Sequence, residues 1–211
     1  MKYKDKVLLI KKIFSENKKK ENKFSHPLLT DGYSSSDLQE AAKTLLSGRL
    51  TMSKNTQKFE NYFAKKMGAN YALMVNSGSS ANLLSVFSLI NPYKKNRLKK
   101  GDECLLPALC WSTSLWPIIQ AGLKPVFVDV NLDTFTTDFK TIKKKVTKKT
   151  KAVILLNVLG NCSEMEKIKN FLKRRKIYLI EDNCEALGSK YKKKYLGTYG
   201  DFGTFSFYYS H

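Results

Sequence analysis

The stretch Asn76-Ser77-Gly78-Ser79-Ser80-Ala81-Asn82 follows an apolar run and opens a helix whose buried face would be Leu83, Val86, Phe87 and Ile90. A Gly/Ser turn at a helix N-terminus offers backbone N–H groups, several hydroxyls and the positive end of the helix dipole, which together cradle a phosphate. It is neither GxGxxG nor a Walker sequence, so neither a dinucleotide nor a nucleoside triphosphate is indicated. Taken alone, it reads equally well as a plain helix cap.

Three more segments carry reactive types. Glu181-Asp182-Asn183-Cys184-Glu185-Ala186 sits at the carboxyl end of an apolar strand, where open α/β sheets bind ligands, and Asp182 could hold a positively charged ring nitrogen there. Its plainer role is a helix-capping acid. Pro107-Ala108-Leu109-Cys110-Trp111-Ser112 puts an indole just after a strand, where a flat ring could stack on it; core packing is the ordinary fate of such a Trp. Gly203 to Ser210 ends in His211, giving a strand-end hydroxyl at Ser206 and then an imidazole, although a lone His is usually structural.

The elements that must position these residues follow from periodicity. Ser36-Asp37-Leu38-Gln39 reads as a capping box before Leu38, Ala41, Ala42, Leu45 and Leu46 at helical spacing, with Gly48 as a stop. A second helix covers about 56–67, with Phe59, Tyr62, Phe63 and Met67 on one face. From residue 70, apolar runs at 71–75, 103–106, 125–130, 152–156, 177–180 and 203–208 alternate with helices near 80–90, 112–121, 138–146 and 164–175, the last opened by a box at Ser163–Glu166. Alternation of this kind predicts a parallel, doubly wound α/β sheet. Residues 1–30 are Lys-rich and weakly patterned, an extension that packs peripherally.

Composition narrows the function class. The 211 residues are 42% apolar, enough for one packed domain and incompatible with wholesale disorder. No run approaches the roughly 18 apolar residues of a membrane span, and there is no signal peptide, so a cytoplasmic location is expected. The net charge of +20 rests on lysine, since only Arg49, Arg97, Arg174 and Arg175 are arginines. Phosphate-backbone recognition would favour the arginine fork, so nucleic acid is not the expected partner. Cys104, Cys110, Cys162 and Cys184 form no CxxC and have no His pair, so neither a zinc site nor a disulfide is expected.

In order and spacing, these segments resemble the large domain of fold-type I pyridoxal-phosphate enzymes, the aspartate aminotransferase fold, and within it the DegT/StrS-type sugar-nucleotide aminotransferases and dehydrases. The resemblance runs from about Ser34 to His211. It implies a PLP-dependent transferase-like large domain at 34–211, a mostly parallel sheet flanked by helices, preceded by a Lys-rich extension at 1–33. It also implies that Gly78, Ser79, Ser80 and Ser206 hold the cofactor phosphate, that Trp111 stacks on the pyridine, and that Asp182 pairs with its nitrogen. Glu185 stands where the aminotransferases usually have Gln at the ring hydroxyl. His211 occupies the register of the Schiff-base lysine. An imidazole moves protons but cannot condense with an aldehyde, and His at this place resembles the CDP-4-keto-6-deoxyglucose 3-dehydrase branch.

What this branch implies is a pyridoxal 5'-phosphate or pyridoxamine 5'-phosphate enzyme that removes the 3-hydroxyl of a nucleotide-linked 4-keto-6-deoxyhexose, with His211 as the catalytic proton carrier, in lipopolysaccharide or other surface-polysaccharide synthesis. The full-length form would be a homodimer. Some members add an iron–sulfur cluster through a Cys near the position of Cys184. Because the chain ends straight after an apolar strand, a fragment lacking its last strand and small domain is expected, inactive or poorly folded alone. Two other readings stay open: an aminotransferase with its Lys beyond residue 211, and a basic module for nucleic acid or another polyanion.

Overall fold

A computed structural model describes residues 3–16, 32–51 and 53–208. The chain forms two compact units, one up to Phe63 and one from Ala64 on. In the first, α1 (Tyr3–Glu16) lies against α2 (Ser35–Leu46), and most of α3 (Lys54–Met67) follows. The helix α1 lies within the expected N-terminal extension. Residues 17–31 of that extension lie outside the described residues.

The cap of helix α2 lies two residues before the expected one. Ser34 is the N-cap: its Oγ accepts the Asp37 N–H at 3.3 Å, and Asp37 Oδ2 accepts the Ser34 N–H at 2.7 Å. A carboxylate makes the stronger reciprocal bond and suits the positive helix end, so Asp37 closes this box ahead of the Ser36–Gln39 alternative. Gly48 ends the helix with φ +68°, as expected of a C-cap glycine.

The second unit is built on a parallel sheet of β1 (Glu103–Pro107), β2 (Lys124–Val128), β3 (Thr150–Leu156), β4 (Tyr178–Asp182) and β7 (Phe202–Thr204), in the order β2-β1-β3-β4-β7. Helices α4 (Gly78–Ile90) and α5 (Ser112–Gln120) cover one face, and α6 (Phe139–Lys145) and α7 (Met165–Arg174) the other. Strand side chains divide with a period of two. Cys104, Leu106, Ile154 and Ile180 pack towards α4 and α5, whereas Leu105, Val153, Leu155 and Leu179 pack towards α6 and α7. Burial on both faces explains the continuous apolar runs.

Three expectations need correction. Residues 71–75 are not a strand: no strand pairs with them, and Tyr71 and Leu73 are 91% and 68% exposed. β7 stops at Thr204 because its only partner among the described residues, β4, ends at Asp182 in register with it, so the backbone beyond has no ladder to join. Ser163 does not cap α7. Its hydroxyl donates to the Thr137 carbonyl at 2.5 Å, and the N-cap Glu164 accepts the Phe139 N–H at 2.9 Å. The sequence reading also missed a hairpin, β5 (Lys190–Tyr191) with β6 (Lys194–Tyr195). Its turn uses Lys192 at φ +55°, with none of the Asn-Gly chemistry that announces such turns.

Candidate functional site

The period of two along β4 decides which acid faces which helices. Ile180 packs towards α4 and α5, so Asp182 does as well, and Glu181 faces the opposite side. Asp182 Oδ2 accepts from Asn82 Nδ2 of α4 and from Ser114 Oγ of α5, both at 2.8 Å, while Oδ1 accepts the Cys184 N–H at 3.2 Å. Asn82 is held in turn by Thr204 of β7, whose hydroxyl donates to Asn82 Oδ1 at 2.6 Å. All four donors and acceptors of this chain, from Thr204 through Asn82 to Asp182, are buried.

Glu181 is fully buried and has a different task. Its carboxylate accepts the N–H groups of Tyr199 and Gly200 at 2.6 Å and of Gly197 at 2.8 Å, tying the loop before β7 to β4. Burial pushes its carboxyl up, against the lowering influence of those three donors. There is no space for a side chain at Gly203: a Cβ there would fall 2.1 Å from the Gly197 carbonyl oxygen.

A cleft of about 240 Å³ opens beside Asp182. Trp111, Asp182, Glu185, Cys184, Cys110 and Asn157 are in its wall. Trp111 is the N-cap residue of α5 and is 74% exposed, so it is not the core residue that an indole would ordinarily be. Glu185 is exposed, and its Oε2 accepts the Leu159 N–H at 3.2 Å. Burial first, and Asp182 second, push the Cys184 and Cys110 thiols up, which keeps both protonated near neutral pH.

The turn expected to cradle a phosphate meets the same cleft at Cys184. Ser77 caps α4, its Oγ accepting the Ser80 N–H at 3.1 Å, so the Ser80 amide is already engaged. A Cβ on Gly78 would come 2.6 Å from Cys184 Sγ and 3.1 Å from Ser206 Cβ. Gly78 is therefore required by close approach, and that approach brings Ser206 and Cys184 to the first turn of α4. Ser79 is exposed and Ser80 half-buried. The structure thus brings together Gly78, Ser206, Asp182, Trp111 and Glu185. His211 lies outside the described residues. Among the described residues, no group of three or more His, Cys, Asp or Glu side chains could hold a metal ion, and no helix is long and apolar enough to cross a membrane.

Asn82, Ser114, Thr204 and Asn157 received no role from sequence. Their contribution is to buried hydrogen bonds between distant elements, which no local spacing announces.

The sequence profile of the DegT/DnrJ/EryC1/StrS aminotransferase family matches residues 33–211. A GDP-4-keto-6-deoxy-D-mannose 3-dehydratase of Escherichia coli O55:H7 is 41% identical over 187 residues, which cover 89% of this chain and 48% of that protein. A dTDP-4-dehydro-2,6-dideoxy-D-glucose 3-dehydratase of Saccharopolyspora spinosa is 43% identical over 82% of this chain and 37% of its own length. In three dimensions the chain matches the E. coli GDP-4-keto-6-deoxy-D-mannose-3-dehydratase with bound hydrated PLP at a TM-score of 0.84 and 40% identity, covering 90% of this chain and 49% of that one. The chain spans about half the length of such relatives, or less.

Proposed function

The chain belongs to the DegT/DnrJ/EryC1/StrS aminotransferase family, and on that premise we propose that residues 34–211 form the cofactor-binding large domain of a pyridoxal- or pyridoxamine-phosphate-dependent 3-dehydratase. Its substrate would be a nucleotide-linked 4-keto-6-deoxyhexose, used in the cytoplasm for deoxysugar and surface-polysaccharide synthesis by a homodimer. One observation carries the reading. Trp111 on one segment and Asp182 and Glu185 on another share one cleft, and its Cys184 corner touches the Gly78–Ser206 cradle.

The residues present fit a B6 vitamer. The α4 N-terminus, with Gly78, Ser79, Ser80 and Ser206, would hold the phosphate through N–H groups, hydroxyls and helix dipole. Asp182 is held by Asn82 and Ser114 through Oδ2, so its orientation is set before any ligand arrives. A carboxylate fixed in this way would bind a protonated ring nitrogen, and the exposed face of Trp111 would cover the ring. When bound as the amine, the vitamer supplies condensation with the sugar's 4-keto group and an electron-withdrawing ring, which permits loss of the neighbouring 3-hydroxyl. His211 would move the proton. Its imidazole can take and return one but has no amine to compete for the carbonyl.

The test is incubation of the full-length protein that carries this domain with pyridoxamine 5'-phosphate and a GDP-linked 4-keto-6-deoxyhexose, followed by mass spectrometry of the sugar nucleotide. Loss of the 3-hydroxyl, abolished in His211→Asn, is expected. Recovery of an aminated sugar that keeps its 3-hydroxyl would contradict the dehydratase reading.

A further inference from the structure

The charge of the sheet unit is divided between its two edges. Where strands run parallel, the connections that lead into them meet at one edge and those that leave them meet at the other. Segments 91–102, 121–124, 143–149 and 173–177 lead into β1, β2, β3 and β4, and they carry fifteen Lys or Arg against a single acid, Asp102. Segments 108–111, 129–138, 157–164 and 183–189 leave the same strands at the edge that holds the cleft. Those carry no Lys or Arg and five acids: Asp129, Asp133, Asp138, Glu164 and Glu185. A lysine-rich composition by itself would load both edges.

Little at the basic edge neutralises it. Asp102 Oδ2 is engaged by the Lys99 backbone N–H at 2.8 Å. Glu103, which opens β1, is 7% exposed, reaches Lys124 at 3.7 Å and accepts the Thr147 hydroxyl at 2.6 Å. Lys143, Lys144, Lys145, Lys148 and Lys149 are all exposed, and no ion pair among the described residues reaches them. Towards the other end of α7, by contrast, Lys167 pairs with Glu164 and Lys192 of the hairpin with Glu166. Lysines in a last helical turn complement the helix dipole, which accounts for 143–145 and 173. It does not account for Lys95, Lys99, Lys100, Lys148 and Lys149, which are in loops. Five ammonium groups within seven residues repel one another, and an anionic counter-surface would relieve that repulsion.

From this placement we infer that the basic edge docks the protein on a bilayer of anionic phospholipids, with the cleft at the opposite edge turned away from the lipid. The inference rests on charge placement and is independent of the reaction proposed for the cleft. Strands β2, β1, β3 and β4 are consecutive neighbours, so the four basic segments form one row. At about 4.8 Å per strand the row is roughly 15 Å wide, a broad face rather than a groove. Helices α4 to α7 return against the strand direction, so the N–H groups of their N-termini, which would hold a discrete phosphate, are at the cleft edge. Twelve of the fifteen cations are lysines. One of the three arginines, Arg175, lies over the Phe171 ring, 3.9 Å from its centroid. Compact ammonium charges without bidentate forks suit a fluid array of lipid phosphates better than the fixed phosphate spacing of a nucleic acid.

The experiment is co-sedimentation of the full-length protein that carries this domain with vesicles of phosphatidylglycerol and phosphatidylethanolamine, against vesicles of phosphatidylcholine, at about 0.15 M salt. Two variants of equal net charge are compared. The edge variant changes Lys144, Lys145, Lys148 and Lys149 to Gln; the control changes Lys140, Lys167, Lys190 and Lys193 to Gln. Wild type should bind only the anionic vesicles, the edge variant at least tenfold more weakly, and the control within about twofold of wild type. Acetylation of lysines in wild type, mapped by mass spectrometry, gives the same answer without a variant: anionic vesicles should protect Lys144, Lys145, Lys148 and Lys149 and leave Lys140 and Lys193 reactive. Equal weakening of both variants, or uniform protection of all these lysines, would reduce the attraction to net charge and overturn the inference. Failure of wild type to bind anionic vesicles would overturn it too. Its release from them by duplex DNA at an equal phosphate concentration would assign the edge to nucleic acid instead.

Discussion

Asn82 and Asp182 are 100 positions apart in the chain, yet the amide of Asn82 donates to Asp182 Oδ2 at 2.8 Å. The same amide accepts from Thr204, so one residue of α4 couples the ends of β4 and β7. Replacing Asn82 with Leu removes one of the two side-chain donors to Asp182 Oδ2 and the acceptor of the buried Thr204 hydroxyl. Urea denaturation should show a loss of about 1–3 kcal/mol. Thr204→Val should cost a similar amount, and the double variant less than the sum, because both act through one hydrogen-bond chain.

At Gly78 the constraint is steric, with a Cβ only 2.6 Å from Cys184 Sγ. Gly78→Ala should destabilise by about 1–3 kcal/mol, the usual scale for overpacking. Cys184→Ala removes the sulfur, so the double variant should recover most of that loss. Equal losses with and without Cys184 would show that the clash is relieved elsewhere.

The thiols should react in an order set by burial. Cys104 is fully buried and its thiol is pushed up to about 12. Cys184 is raised first by burial, then by Asp182 and Glu185. In iodoacetamide alkylation mapped by mass spectrometry, Cys104 should stay unmodified, and Cys184 should need a pH above that of an ordinary thiol, about 8.5. Pyridoxamine 5'-phosphate should protect Cys110 and Cys184, which are in the cleft wall, and leave Cys162 unaffected.

Glu181 gives the pH dependence. Burial raises its folded-state pKa above the ordinary value of 4.5. Its stability contribution is therefore complete below about 4.5 and is lost as pH rises through the folded value. The non-titrating variant Glu181→Gln provides the reference. The stability of wild type relative to Glu181→Gln should fall as pH is raised from about 4 towards 7. A relative stability that rises over that range would show that the three N–H donors outweigh burial.

The sheet was legible in the sequence because strands buried on both faces leave continuous apolar runs and the helices between them keep a 3.6-residue period. The cleft was legible because Asp182 ends β4 and Trp111 lies in the short loop after β1. Residues 71–75 have a strand's composition, but strand formation depends on a neighbour, which composition does not record. The β5–β6 hairpin is too short for a period to show. Ser34 displaced Ser36 as a cap because a carboxylate at position 37 outbids an amide at 39, a competition visible only when both boxes are compared.

The central claim is that a B6 vitamer lies in the cleft between Trp111 and Asp182. The direct measurement is indole fluorescence in Trp116→Phe, which leaves Trp111 as the sole tryptophan, titrated with pyridoxamine 5'-phosphate. Saturable quenching is predicted, with affinity reduced at least tenfold in Asp182→Ala, which loses a buried charge-assisted contact. Quenching that never saturates, or an affinity that Asp182→Ala leaves unchanged, would contradict it.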